Sequence, residues 1–281
     1  MKASKASFTI IEVLVASAVM AVIVTIILSV TSGMLTSWNL SSGRLATNFE
    51  SRIALDFLAK DLEGALFGED TQVWLKAKTD SEYLPWAAPA AEGIWLSFFT
   101  SAQDRDRGID GDITVVNYRL LHKNPVNPSN TDRETYGLYR TVIDSDDTFN
   151  NYLGQLGSME FPRDFLDPDV SDAVTQAFLA SNILTFHVTF WIRDPSDPSG
   201  FSDLDISTGL EFPHKDSSGN IIASHPEFAD ISITVLNDEG AKLMMAKEEG
   251  LVTDSEITPK EVIARYGTVF TQRVHFMNNP L

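Results

Sequence analysis

Cysteine is absent from all 281 residues, which removes disulfides, thiolate metal sites and cysteine nucleophiles from consideration. Positive charge is scarce: 21 Lys and Arg stand against 39 Asp and Glu, a formal net charge of −18. Such acidity repels nucleic acid and anionic lipid surfaces, which require clustered Lys and Arg, so no nucleic-acid partner is expected. Catalytic signatures are missing as well. The five histidines, His122, His187, His214, His225 and His275, are scattered without HExxH or other ligand spacing, and neither GxSxG nor a P-loop occurs. The turn Gly108-Ile109-Asp110-Gly111 is too short to cradle a phosphate. No enzymatic activity is expected. Internal repeats and long linkers are also lacking, and long apolar runs are confined to one place.

That place is Phe8 to Val30, FTIIEVLVASAVMAVIVTIILSV, in which Glu12 is the one charged residue. As a helix rising ~1.5 Å per residue it would extend about 35 Å, enough to cross a bilayer core of roughly 30 Å. The preceding MKASKAS carries Lys2 and Lys5 and no acid, so the positive-inside rule keeps the N-terminus cytoplasmic and sends the remaining chain across the membrane. A cleaved secretory signal would use Ala16-Ser17-Ala18, but too few apolar residues precede that site and the run continues far beyond it. A plain signal anchor accounts for the length but not for Glu12, since a carboxylate at the centre of a membrane helix costs about 2.5 to 3.5 kcal/mol on insertion scales.

The junction KAS-FTIIEVLVA resembles the class III signal of type IV pilins and pseudopilins. The resemblance implies that a prepilin peptidase cuts between Ser7 and Phe8 and N-methylates Phe8, and that Glu12 acts in filament assembly. Ser7 departs from the pattern, which usually has glycine there. Cleavage would remove Lys2 and Lys5 and take the net charge from −18 to −20.

Beyond the apolar run, Met34, Leu35, Trp38 and Leu45 keep a near-helical spacing. Phe49, Ile53 and Phe57 then recur every fourth residue, and Leu55, Leu58, Leu62 and Leu66 come next at three and four, predicting one broad apolar face on a helix from about 8 to 66. Arg44, Arg52, Asp56, Lys60, Asp61 and Glu63 are expected on its solvated side. After Gly68 the period becomes two. Strands are predicted at Ile94 to Phe99, Ile113 to Leu121, Gly137 to Ile143, Ile183 to Ile192, Asp230 to Leu236 and Val269 to Phe276, forming a largely antiparallel sheet. In the fourth, Leu184, Phe186, Val188, Phe190 and Ile192 should face the core and Thr185, His187, Thr189 and Trp191 the other side. Short helices are expected where Val170, Val174 and Phe178 share a face behind Ser171, and at the capping box Thr258-Pro259-Lys260-Glu261, closing near Gly267.

The fold class expected is α+β, a long membrane-spanning helix packed on a mainly antiparallel β domain of pilin-like form. Its divisions are a leader at 1–7, a transmembrane and filament-core helix at 8–30, its continuation at 31–66 and a periplasmic β-rich domain at 67–281. Those last roughly 215 residues are enough for one sizeable core.

ALDFLAKDLEGAL (Ala54 to Leu66), VVNYRL and then YGLYRTV, NILTFHVTFWI and PEFADISITVLND are similar to J-type minor pseudopilins of type II secretion. A further similarity is to the pilin-like Verru_Chthon cassette protein C family, which fits the leader and the acidic insertions around 144–182 and 194–226. Insert lengths and the stretch from Ala241 to Arg265 depart from the J-type pattern. The resemblance implies a minor, tip-located subunit in the inner membrane that helps start a pseudopilus with other minor and major pseudopilins on an inner-membrane assembly platform. The alternatives are a minor pilin for adhesion or DNA uptake, and a secreted binding domain or hydrolase held by its signal.

No cofactor is expected, with one candidate exception. Asp104, Asp106, Asp110 and Asp112 in DRDRGIDGD could wrap calcium, although the full loop pattern and a distal Glu are missing and Arg105 and Arg107 are interleaved. Asp194, Asp197, Asp203 and Asp205 form a second candidate of the same kind. The competing reading of both is a solvated acidic turn.

Overall fold

A computed structural model describes residues 9–68, 72–80, 93–101, 112–126, 134–153, 174–207, 209–252 and 257–276. The chain divides into two compact units, Met1–Leu45 and Ala46–Leu281. The first helix, α1 (Ile10–Glu63), begins in one and ends in the other. In the N-terminal unit, Ile10–Leu35 has a mean hydropathy of 2.8 and no residue buried within the chain. A helix that is apolar on all sides and packs against nothing of its own has the length and composition of a single-pass membrane anchor.

In the second unit α1 is amphipathic. Ser51, Ala54, Leu55, Leu58, Ala59, Asp61 and Leu62 are buried, while Arg52, Asp56, Lys60 and Glu63 are exposed. The expected apolar face splits. Phe49, Ile53 and Phe57 are 67%, 37% and 48% exposed, because Ile53 and Phe57 each directly precede a buried position and so stand about 100° round the helix from it. They form an outward stripe instead of joining the leucines.

Among the described residues the β structure comprises two main antiparallel sheets and a small third one, where one sheet is expected from the alternation alone. The first contains β1 (Leu75–Asp80), β2 (Gly93–Ser101), β3 (Ile113–Lys123), β4 (Thr135–Ile143), β5 (Val174–Ser181) and β8 (Leu210–Phe212), in the order β5-β4-β3-β2-β1-β8. The second runs β12-β11-β6-β7, from β12 (Gly267–His275), β11 (Phe228–Leu236), β6 (Ile183–Arg193) and β7 (Phe201–Leu204). The hairpin of β9 (His214–Lys215) and β10 (Ile221–Ala223) is the third. All six predicted strands are present, with ends shifted by one or two residues.

On β6, Leu184, Phe186, Val188, Phe190 and Ile192 are buried, and His187 on the opposite face is exposed. These apolar side chains join Leu58, Leu62, Leu96, Tyr118 and Leu138 in a core shared by α1 and both main sheets.

The helix expected around Val170 to Phe178 is contradicted. Val174 and Phe178 belong to β5, paired along β4 from Gly137 to Ile143. Residues 170–173 lie outside the described residues. The spacing of four mimicked a helix, but pairing with β4 prevailed over local periodicity. A single residue, Asn182, joins β5 to β6 with φ 59°, the left-handed region that asparagine tolerates better than most residues. There the chain leaves one sheet and enters the other.

A single turn, α2 (Ser145–Asp147), comes after β4. Helix α3 (Asp238–Glu248), not predicted from periodicity, starts at Asn237, whose side chain accepts from the Gly240 N–H at 2.9 Å. Helix α4 (Pro259–Tyr266) has the expected capping box, with Thr258 and Glu261 bonded reciprocally, and ends at Gly267.

Candidate functional site

At the start of α1 the residues singled out for processing and assembly are partly visible. Ser7 and Phe8 lie outside the described residues. Glu12 stands in the first turn, the third helical position after Thr9. The Thr9 backbone N–H and hydroxyl donate to Glu12 Oε2 at 2.8 and 2.9 Å, and the Glu12 N–H donates to Thr9 Oγ1 at 3.3 Å. This is a capping box, T-x-x-E, with the same geometry as Thr258 and Glu261 at α4. The carboxylate therefore has a local partner at a helix end, and the cost for a helix centre does not apply to it. The spacing Thr9 to Glu12 was open to this reading in the sequence itself.

The opposite end of α1 is tied to the first sheet. Asp61, expected on the solvated face, is 2% exposed. Tyr118 on β3 donates its hydroxyl to Asp61 Oδ2 at 2.5 Å, and Arg140 on β4 donates Nε to Oδ2 at 2.6 Å and Nη2 to Oδ1 at 3.2 Å. Two donors from adjacent strands thus converge on one carboxylate, a charge-assisted arrangement. Burial, and then the negative charge of Asp61, pushes the Tyr118 hydroxyl well above its ordinary range. Burial works against the Arg140 charge, but the Asp61 hydrogen bond and charge outweigh it and hold the guanidinium above its usual value. Helical periodicity shows which way a side chain points, not what waits there 57 or 79 residues further on.

Thr100 on β2 completes the attachment. Its hydroxyl donates to the carbonyls of Asp61 and Gly64 at 3.2 and 3.0 Å, satisfying acceptors that a helix C-terminus leaves open. The chain then bonds Leu66 N–H to Phe99 O at 2.9 Å. A side chain at Gly64 would place its Cβ 2.9 Å from Thr100 Oγ1, so glycine permits this close approach.

Of the first calcium candidate, Asp104, Asp106 and Asp110 lie outside the described residues, and Asp112 is exposed just before β3. The second candidate is described: Asp203 lies in β7, paired opposite Trp191, and the other three acids serve their own turns. Asp194 accepts from Ser196 and Ser202, Asp197 from Ser199 and Asp205 from Ser207. The serine hydroxyls, then the turn N–H groups, hold the Asp194 and Asp197 carboxyls below the usual range. For Asp205 the Ser207 N–H leads. These are side-chain-capped turns, and among the described residues no group of three or more His, Asp or Glu is arranged to hold a metal.

Among the described residues, His122 stands between two acids. Its Nδ1 lies 3.6 Å from Glu134 and its Nε2 3.5 Å from Glu248 at the end of α3. The two carboxylates address opposite ring nitrogens and cannot share one ion with it. Burial lowers the His122 pKa, with Glu248 opposing.

Compared with known proteins, the chain matches no family model and no curated protein.

Proposed function

We propose that this protein is a minor pseudopilin, a structural subunit that helps initiate a type II secretion-like pseudopilus. In this reading it is an inner-membrane protein with an exported C-terminal domain, processed by a prepilin peptidase at Ser7-Phe8. It assembles with other minor and major pseudopilins on an inner-membrane platform. The observation that carries the reading is one helix, α1, with an exposed apolar segment at Ile10–Leu35 and Glu12 in its first turn, whose far end is bonded to a β domain. Export on a helical stalk needs that combination; an enzyme active site does not.

The second reading, a binding domain merely anchored by its signal, is favoured by the capping box, which gives Glu12 a helix-starting role needing no partner subunit. Two substitutions separate the readings. Glu12→Gln keeps a side-chain oxygen for the cap but removes the charge, whereas Glu12→Val removes both. If Glu12 pairs with a neighbour's amine across subunits, both variants should insert in the membrane yet lose crosslinking to partner subunits. Wild-type crosslinking by Glu12→Gln would leave only the cap and sink the assembly role. Mass spectrometry of protein recovered from host membranes should independently show a chain starting at N-methylated Phe8; a soluble chain starting after Ala18 would remove the filament reading.

A further inference from the structure

β12 lies at the edge of the second sheet. Among the described residues it pairs on one side only, with β11, over its full length from Gly267 to His275 and without a bulge. The register fixes which backbone groups this pairing uses. Just beyond the ends of β12, the Asn237 N–H donates to Tyr266 O at 3.1 Å and the Phe276 N–H donates to Glu227 O at 3.3 Å. Alternate residues of an antiparallel strand bond to the same neighbour, so Thr268, Phe270, Gln272 and Val274 address β11, in step with Tyr266 and Phe276. Val269, Thr271, Arg273 and His275 turn their N–H and C=O groups outward. Their side chains are exposed as well.

Folded proteins blunt such an edge with lysine, proline, a bulge or an inward-pointing charge. β12, GTVFTQRVH, contains no Lys, Pro, Asp or Glu, and the exposed Arg273 guanidinium is tied to Asp230 by two bonds of 2.7 Å. Beside the edge runs a groove. An open cavity of about 290 Å³ lies between Gln272 of β12 and the side of α1 that carries Ile53, Asp56, Phe57, Lys60 and Glu63. Ile53 and Phe57 belong to the outward apolar stripe, so a strand added to β12 would send every second side chain to the Gln272 side, against them. Backbone bonding along an edge, with a pocket for alternate side chains, is how a sheet takes up an extended peptide. Charge narrows the occupant. Asp56 and Glu63 outnumber Lys60 on the cavity wall, and the chain as a whole carries −18, which repels a second copy and favours a neutral or basic segment.

We propose that β12 and the adjoining side of α1 bind an extended segment of another protein, neutral or basic and apolar at every second residue, which joins the second sheet as an added strand. The inference is independent of the filament reading, since it uses only the exposed edge and the C-terminal part of α1.

The probe is a capped peptide of alternating valine and threonine with a lysine at each end, labelled with a fluorophore and titrated with the full chain in detergent. Anisotropy should rise to saturation, and binding should weaken as salt is added. Thr271→Pro removes one outward N–H, a change that edge strands accommodate; it should melt close to wild type and bind about tenfold more weakly, as expected from lost backbone hydrogen bonding. Should that variant not fold, the wild type is compared on the same peptide N-methylated at every residue, which has no backbone donors and should not bind. A wild type that does not bind the probe, or equal binding by Thr271→Pro or of the N-methylated peptide, would overturn the proposal. A wild-type dimer in sedimentation that Thr271→Pro abolishes would assign the edge to a second copy and overturn it equally.

Discussion

Replacing Asp61 with Asn tests whether α1 is held to the first sheet by charge or by apolar contact. The substitution keeps size and one acceptor but leaves Arg140, whose side chain is 13% exposed, with its counter-charge gone. Breaking a buried pair by removing one partner costs about 3 to 5 kcal/mol, and the slight exposure of Arg140 sets the expectation at the lower end, about 3 kcal/mol. For a unit spanning residues 46–281, 1 kcal/mol corresponds to roughly 2 to 4 °C in Tm, so Asp61→Asn should melt roughly 6 to 12 °C below wild type. Circular dichroism melts of the full chain in detergent at pH 7 would measure it. The double variant Asp61→Leu with Arg140→Met should recover most of the loss, because apolar residues of similar volume often match a buried ion pair. If Asp61→Asn melted within about 2 °C of wild type, the carboxylate would contribute little and the leucines of α1 alone would hold the helix.

Tyr118 and Tyr139 are both held above the ordinary tyrosine range by burial, Tyr118 also by Asp61. A raised folded pKa stabilises below the unfolded value near 10 and is lost as pH climbs, so stability should fall above about pH 10. Ultraviolet titration should show two of the six tyrosines ionising only with unfolding; six reversible ionisations in the folded chain would refute this. Gly137→Ala would set a Cβ 2.5 Å from the Phe178 ring and should cost about 1 to 3 kcal/mol in denaturant unfolding, as overpacking does. An unchanged midpoint would show that the half-exposed ring swings aside freely. Thr258→Ala removes the α4 cap and should cost about 1 kcal/mol, read as a lower urea midpoint at constant slope.

Local features were legible from residue order. The apolar run that becomes the first part of α1, the alternation along β6 and the capping box at Thr258 all arise between residues at most four apart, or from a period that repeats within one element. The Thr9 to Glu12 cap belongs to this class too, since its spacing is that of Thr258 and Glu261. Residue order therefore determined the α+β class, a candidate membrane helix, six strands and a chain unable to form a disulfide or thiolate site.

Tertiary structure decided the rest. An acid on an amphipathic helix has the same local pattern whether it meets water or a buried arginine, so Asp61 could be placed only once β3 and β4 were paired beneath it. Apolar residues four apart fit a helix as well as a strand, so Val174 and Phe178 awaited the partner strand β4. The separation of strands into two sheets depended on one left-handed residue, Asn182, and on core packing among segments distant in sequence. The physical reason is common to all three: burial and long-range hydrogen bonding reverse a local preference worth a few tenths of a kcal/mol per residue, and neither partner is encoded near the residue it changes.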